Sequence, residues 1–111
     1  MLPTPPWRTV VVGARPHAHL FFQYADTSLD YAVDGTRELD GDTITASSWS
    51  SPTAGLVLSD DVFTDAVATV WVSSPALDLP LGSSVESSVV NRIVTAGGRT
   101  TDYRLHIVVQ A

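Results

Sequence analysis

Asn91-Arg92-Ile93-Val94-Thr95-Ala96-Gly97-Gly98-Arg99, followed by Tyr103-Arg104-Leu105-His106-Ile107-Val108-Val109, decides the fold. In the second run Tyr103, Leu105, Ile107 and Val109 fall on one face. Asp102, Arg104, His106 and Gln110 fall on the other, with Val108 the exception. A period of two is that of a half-buried strand. Ala96-Gly97-Gly98 supplies the turn, so the whole stretch reads as a β-hairpin. No helix follows those glycines, so they do not form a phosphate loop. Upstream, Val85, Val89, Asn91 and Ile93 share a face; the polar member, Asn91, must find hydrogen-bond partners if buried.

The same grammar extends outward. Strands are expected near residues 29–34, 43–50, 55–58, 67–73, 84–95 and 101–109. Turn chemistry separates them at Asp34-Gly35, Asp40-Gly41-Asp42, Pro52 to Gly55, Asp60-Asp61, Pro75 to Gly82 and Ala96 to Gly98. Turn signals at this spacing mark a sandwich or barrel. No stretch of ten residues carries a helical apolar period, and Val, Thr and Ile favour strand. In 67–73, Ala68, Val70 and Val72 share a face and Trp71 lies opposite. Ile44 and Trp49 have opposite parity, so burying both requires a bulge between them. Trp49 reads as the large residue between the sheets.

Residues 1–24 read differently. Pro3, Pro5 and Pro6 discourage helix, Trp7 to Val12 reads as a short strand, and His17 to Tyr24 as a second extended apolar stretch. This segment reads as an extended N-terminal arm, and residues 25–111 as the sandwich domain. The arm holds Trp7, Val10, Val11, Val12, Leu20, Phe21 and Phe22, too much apolar surface to leave in water. Docking on a neighbour, or along its own sheet edge until assembly, would cover it. Deleting it is expected to leave a folded domain that no longer joins its assembly.

Composition narrows the functions. The 111 residues make one domain with a modest core. Without cysteine there are no disulfides or thiolate metal sites. Twelve acids against six bases, all arginine, give a net charge of -6, a poor match for nucleic acid or an anionic membrane. No run approaches the ~18 apolar residues of a transmembrane helix, and Met1 to Pro6 is too proline-rich for a secretion signal.

Candidate chemistry is sparse. His17 and His19 would point to one side of a strand and could hold a metal, but a closed site normally needs four ligands. Asp40/Asp42 and Asp60/Asp61/Asp65 could coordinate calcium, yet Asp-Gly-Asp is also plain turn chemistry. Asp30 and Asp34 lie roughly 13 Å apart along a strand, wide for a catalytic pair. No Gly-x-Ser-x-Gly elbow is present. The reading is therefore non-enzymatic, with no metal and no cofactor. The residues expected at a partner interface are Trp7, Val11, Leu20, Phe21, Phe22 and Trp71, because exposed aromatic residues anchor interfaces.

The order Leu29-Asp30-Tyr31-Ala32-Val33-Asp34, Gly41-Asp42-Thr43-Ile44, Trp49, Thr69-Val70-Trp71 and Asn91 to Arg99 resembles a family of tailed-bacteriophage proteins, the phage fiber-tail adaptor proteins. The likeness covers about residues 26–109. It implies an immunoglobulin-like β-sandwich with no catalytic residues. It also implies a virion protein of the neck or tail, assembled in the bacterial cytoplasm. Such a protein would sit in a symmetric homo-oligomeric ring and connect fibers or other components to the tail or portal region. Its partners would be other virion proteins, not nucleic acid or membrane. A head decoration protein and a carbohydrate-binding or adhesive immunoglobulin-like module are the alternatives. Residues 1–24 extend beyond the family pattern. Ser87 stands where members often carry Tyr, which would thin the core there.

Overall fold

The valine-rich runs alternate as strands and send their inward residues into one shared interior. The computed structural model describes residues 3–12, 20–53, 55–77 and 80–111. In chain order the strands are β1 (Thr9–Val11), β2 (Leu20–Tyr24), β3 (Ser28–Asp34), β4 (Ile44–Ser50), β5 (Val57–Phe63), β6 (Val67–Ser73), β7 (Ser84–Thr95) and β8 (Thr100–Gln110). Pro6–Arg8 forms a 3-10 turn, and Thr36–Leu39 a single α-turn, α1. Two four-stranded sheets pack together, in the orders β1-β3-β6-β5 and β2-β8-β7-β4. The fold is all-β. No helix among the described residues is long and apolar enough to cross a membrane.

Period-two burial fills the space between the sheets. Tyr31, Val70 and Val72 from the first sheet meet Val89, Ile107 and Val109 from the second. Beside them Val10, Val33 and Leu105 form a second cluster, and Leu39, Ile44 and Ile93 a third. Trp49 packs against both of the first two clusters, as an inter-sheet residue. The parity conflict between Ile44 and Trp49 is resolved by a register shift between Ile44 and Ala46. Asn91 is fully buried. Its Nδ2 donates to Ser47 Oγ at 2.9 Å and to the Ser48 carbonyl at 3.1 Å, pinning β4 beyond the bulge. Ser87 is also buried, and its hydroxyl donates to the Ile107 carbonyl, which satisfies it within the sheet.

Two expectations need correction. The strand expected at 55–58 runs to Phe63. Asp60 takes a left-handed φ of 51°, and the register shifts between Ser59 and Val62. The two aspartates therefore make a bulge within a strand and no chain reversal. The larger correction concerns residues 1–24, expected as an arm that docks on a neighbour or lies along its own sheet edge until assembly; of these, residues 3–12 and 20–24 are described. β1 pairs parallel with β3, Thr9 opposite Ala32, and β2 pairs parallel with β8, Leu20 opposite His106. Both are edge strands of the sandwich itself, and both send side chains into its interior. Val10 is buried, and the Phe21 ring stands edge-on to Tyr31 with centroids 5.2 Å apart.

Gln23 ties β2 to the opposite sheet. Its Nε2 donates to the Val72 carbonyl at 3.0 Å and the Thr27 carbonyl at 3.1 Å, while its Oε1 accepts the Tyr31 hydroxyl at 2.8 Å. Burial pushes the Tyr31 hydroxyl up to about 12, so it remains a donor. The segment before β1 is anchored too. Thr4 Oγ1 donates to Asp30 Oδ2 at 2.7 Å, and Arg8 donates to Asp30 Oδ1 at 3.0 Å and to its carbonyl at 2.8 Å. Burial works against the Asp30 charge, but the Thr4 and Arg8 hydrogen bonds outweigh it and hold the carboxyl below its usual range.

Candidate partner interface

β2 reads Leu-Phe-Phe-Gln-Tyr, and a pleated strand divides it cleanly. Phe21 and Gln23 face the core. Leu20, Phe22 and Tyr24 face outward and are 51%, 60% and 67% exposed. On the neighbouring β8 they lie beside His106, Val108 and Gln110. Among the described residues β2 ends its sheet, and no strand pairs with its far side.

The six residues expected at an interface are not one patch. Trp7, 73% exposed, sits on the Pro6–Arg8 turn, and Val11 is exposed at the end of β1. Trp71 is half-buried on the outward side of β6, cross-strand from Asp30 and Ser59. These three belong to the β1–β3–β6–β5 sheet. Leu20 and Phe22 belong to the outer face of the other sheet. Phe21 is the correction: strand parity turns it inward onto the core clusters, so it anchors β2 instead of a partner. Tyr24 joins the Leu20–Phe22 row. The same two-residue spacing in the sequence would have identified it.

Asp30, Asp34 and Asp42 are occupied structurally, while Asp40, Asp60, Asp61 and Asp65 are exposed. Asp42 latches the Asp40–Asp42 turn onto the β7–β8 hairpin. It accepts from the Gly97 N–H at 2.9 Å, the Thr43 N–H at 2.9 Å and Arg99 Nη1 at 2.7 Å. A Cβ at Gly97 would lie 2.8 Å from Asp42 Oδ2, so a side chain there would push the carboxylate out of this position. Hydrogen bonding from Thr95, then from Gly97 and Arg99, holds the Asp42 carboxyl down at about 2, below its ordinary 3.8. The folded-state value is depressed, so the latch stabilises fully above the unfolded value near 3.8 and is lost as pH falls toward 2. Asp42→Asn should therefore lower the melting temperature at pH 7, and the gap from wild type should close on acidification to pH ~2. A gap unchanged across that range would mean that the carboxylate charge does not hold the two turns together.

Asp34 Oδ1 accepts from Thr36 N and Oγ1, opening α1, and Asp30 is held by Thr4 and Arg8. Neither resembles half of a catalytic pair. Among the described residues no group of three His, Cys, Asp or Glu side chains could hold a metal. His17 and His19 lie outside the described residues. A groove of about 530 Å³ on the outer face of the β2–β8–β7–β4 sheet is lined by Ser48, Ser50, Pro52, Arg92, Asp102 and Arg104 among others, with no aromatic platform for a sugar.

Comparison with solved structures finds the fold elsewhere. A cysteine protease inhibitor, EhICP2, from Entamoeba histolytica superposes with a TM-score of 0.52 over 93% of this chain and 94% of that one. At 13% identity the likeness is one of fold alone. Comparison with curated proteins finds no match. A family model, described as Podophage GP4 fiber-tail adaptor protein gp77, matches residues 23–108, from the inward Gln23 of β2 through most of β8. The chain belongs to the family of podophage fiber-tail adaptor proteins.

Proposed function

We propose that this protein is a non-catalytic connector of a tailed-phage virion. It sits in a symmetric homo-oligomeric ring at the neck or tail and joins fibers or other components to the tail or portal region. Membership of the adaptor family carries the reading. The local chemistry agrees with it. Asp42, Gly97 and Arg99 bind one turn to another, Asn91 pins a bulged strand, and Trp49 fills the interior. The motif residues are thus committed to architecture, while the outward row on β2 is left for contacts.

The immunoglobulin-like reading is part of the proposal. It is supported by strand order: β3, β6 and β5 in one sheet and β4, β7 and β8 in the other follow the B-E-D and C-F-G arrangement, with a tryptophan on the strand equivalent to C. The parallel β1–β3 and β2–β8 pairs depart from it, since sandwiches of that class are built from antiparallel sheets.

The test is a phage mutant lacking this gene, with particles examined by electron microscopy and mass spectrometry. Wild-type particles should contain the protein. Particles made without it should keep filled heads and lose their fibers. Fibers still attached in its absence would remove the connector reading. Loss confined to the head surface would favour a decoration protein.

A further inference from the structure

Among the described residues three buried side-chain atoms find no hydrogen-bond partner within the protein: Trp49 Nε1, Asn91 Oδ1 and Tyr103 Oη. They are not scattered. Trp49 on β4 pairs across with Asn91 on β7, and Asn91 with Tyr103 on β8, so the three form one row across the sheet. Trp49 and Asn91 are complementary. An indole N–H only donates. The Ser48 carbonyl can only accept, which fixes Nδ2 of Asn91 toward it and leaves Oδ1 as a free acceptor. Yet no hydrogen bond joins the two. Left unpaired, each group bears its full desolvation cost. Tyr103 belongs elsewhere. It also packs on Leu39, Ile44 and Ile93 beside α1, and its hydroxyl feels the charge of Glu38. Beside the Trp49–Asn91 pair the two sheets part. β4 and β5 end their sheets there, and a cleft of about 230 Å³ is lined by Ser47, Trp49, Leu58, Ser59, Asp61 and Val70 among others. A water takes about 30 Å³ of liquid volume, so there is room for one. Ser47 stands two residues before Trp49 on the same side of β4. Its hydroxyl accepts from Asn91 Nδ2 and keeps a proton to donate.

We infer that this corner of the sandwich binds one ordered water, which accepts from Trp49 Nε1, donates to Asn91 Oδ1 and accepts from the Ser47 hydroxyl. Three hydrogen bonds are the usual complement of a buried water. The chemistry of the pair selects the occupant. A donor and an acceptor that do not reach each other need a group that accepts from one and donates to the other. A metal ion cannot use an indole N–H. An anion would meet Asn91 Oδ1 and the Asp61 carboxylate. An apolar side chain would leave both atoms unsatisfied. Through the water Asn91 holds Ser47, Ser48 and Trp49 at once, three successive residues of β4 beyond its bulge.

The test is a high-resolution crystal structure of the full chain together with water–protein NOE and ROE spectra in solution. One water should lie about 2.7–3.2 Å from both Trp49 Nε1 and Asn91 Oδ1. The Trp49 indole proton should show a water cross-peak whose NOE and ROE have opposite signs, the mark of a bound water and not of hydrogen exchange. Trp7→Phe and Trp71→Phe, both outside the site, identify the Trp49 signal by elimination. Trp49→Phe keeps a ring but removes the donor, and the bridging water should be lost from its crystal structure. If that variant fails to fold, Ser47→Ala takes its place, and the cross-peak at the Trp49 indole should weaken or vanish. A direct bond between Trp49 Nε1 and Asn91 Oδ1, an indole N–H bonded to Asp61, a water touching only one of the two atoms, or an indole cross-peak with NOE and ROE of like sign overturns the inference. The connector reading stands on family membership and is untouched by either result.

Discussion

Deleting residues 1–24 should abolish cooperative folding of the remaining chain. The deletion removes Val10, Phe21 and Gln23 together. Loss of a core phenylalanine costs ~3–5 kcal/mol. The Tyr31 hydroxyl, left without Gln23, costs ~1–3 kcal/mol more. Loss of buried Val10 adds ~1.5–3 kcal/mol. Against a total stability of ~5–15 kcal/mol for a domain, little remains. The truncated chain should show no sigmoidal thermal transition, and Gln23→Ala alone should lower the midpoint measurably. A truncated chain that melts cooperatively within a few degrees of wild type would show that β1 and β2 are dispensable edges.

Trp49→Ala should be the most damaging single substitution on β4. The ring touches the clusters around Tyr31 and around Val33, so its loss opens space between both. The side chain is only partly buried, which places the cost toward the lower end of the ~3–5 kcal/mol range for such truncations. At ~4 °C or more per kcal/mol for a domain of this size, the midpoint should fall by more than ~10 °C. Trp71→Ala supplies the contrast. Trp71 is half-buried and faces outward from β6, and it belongs to none of the three core clusters. Its removal should cost less than ~1 kcal/mol. Equal losses at the two sites, measured by chemical denaturation, would mean that Trp71 carries structural weight that strand parity does not reveal.

The antiparallel body of the fold is written locally, and the sequence shows it. β6 and β7 fall on the expected residues because each is a valine-rich run bounded by turn residues, with Ala68, Val70 and Val72 in one and Val89, Asn91 and Ile93 in the other buried at every second position. The bulge in β4 follows from counting parity between Ile44 and Trp49. β5 was obscured because Asp60-Asp61 has the composition of a turn, and only the neighbouring strand decides whether such residues reverse the chain or bulge within it. β1 and β2 read as extended, but their pairing is obscured for another reason. Their partners are parallel and, for β2, more than eighty positions away, and nothing in five residues encodes a partner at that distance. The exposed row on β2 was half legible: Leu20 and Phe22 stand out as apolar, but Phe21 belongs with them only until the strand is known to be pleated against a core. The latch between Asp42 and Gly97 joins two turns that each read correctly on their own.

The parallel β2–β8 pair has a mechanical consequence. Leu20 lies beside His106 at one end and Tyr24 beside Gln110 at the other. A pull applied between Leu20 and Gln110 runs along both strands in opposite senses. It loads all the backbone hydrogen bonds of the pair at once, in shear, instead of unzipping them one by one. Gln23 adds its cross-sheet bonds to the same clamp. A connector that must hold while a fiber drags on its target would carry tension best through this seam, if its attachments lie at opposite ends of it.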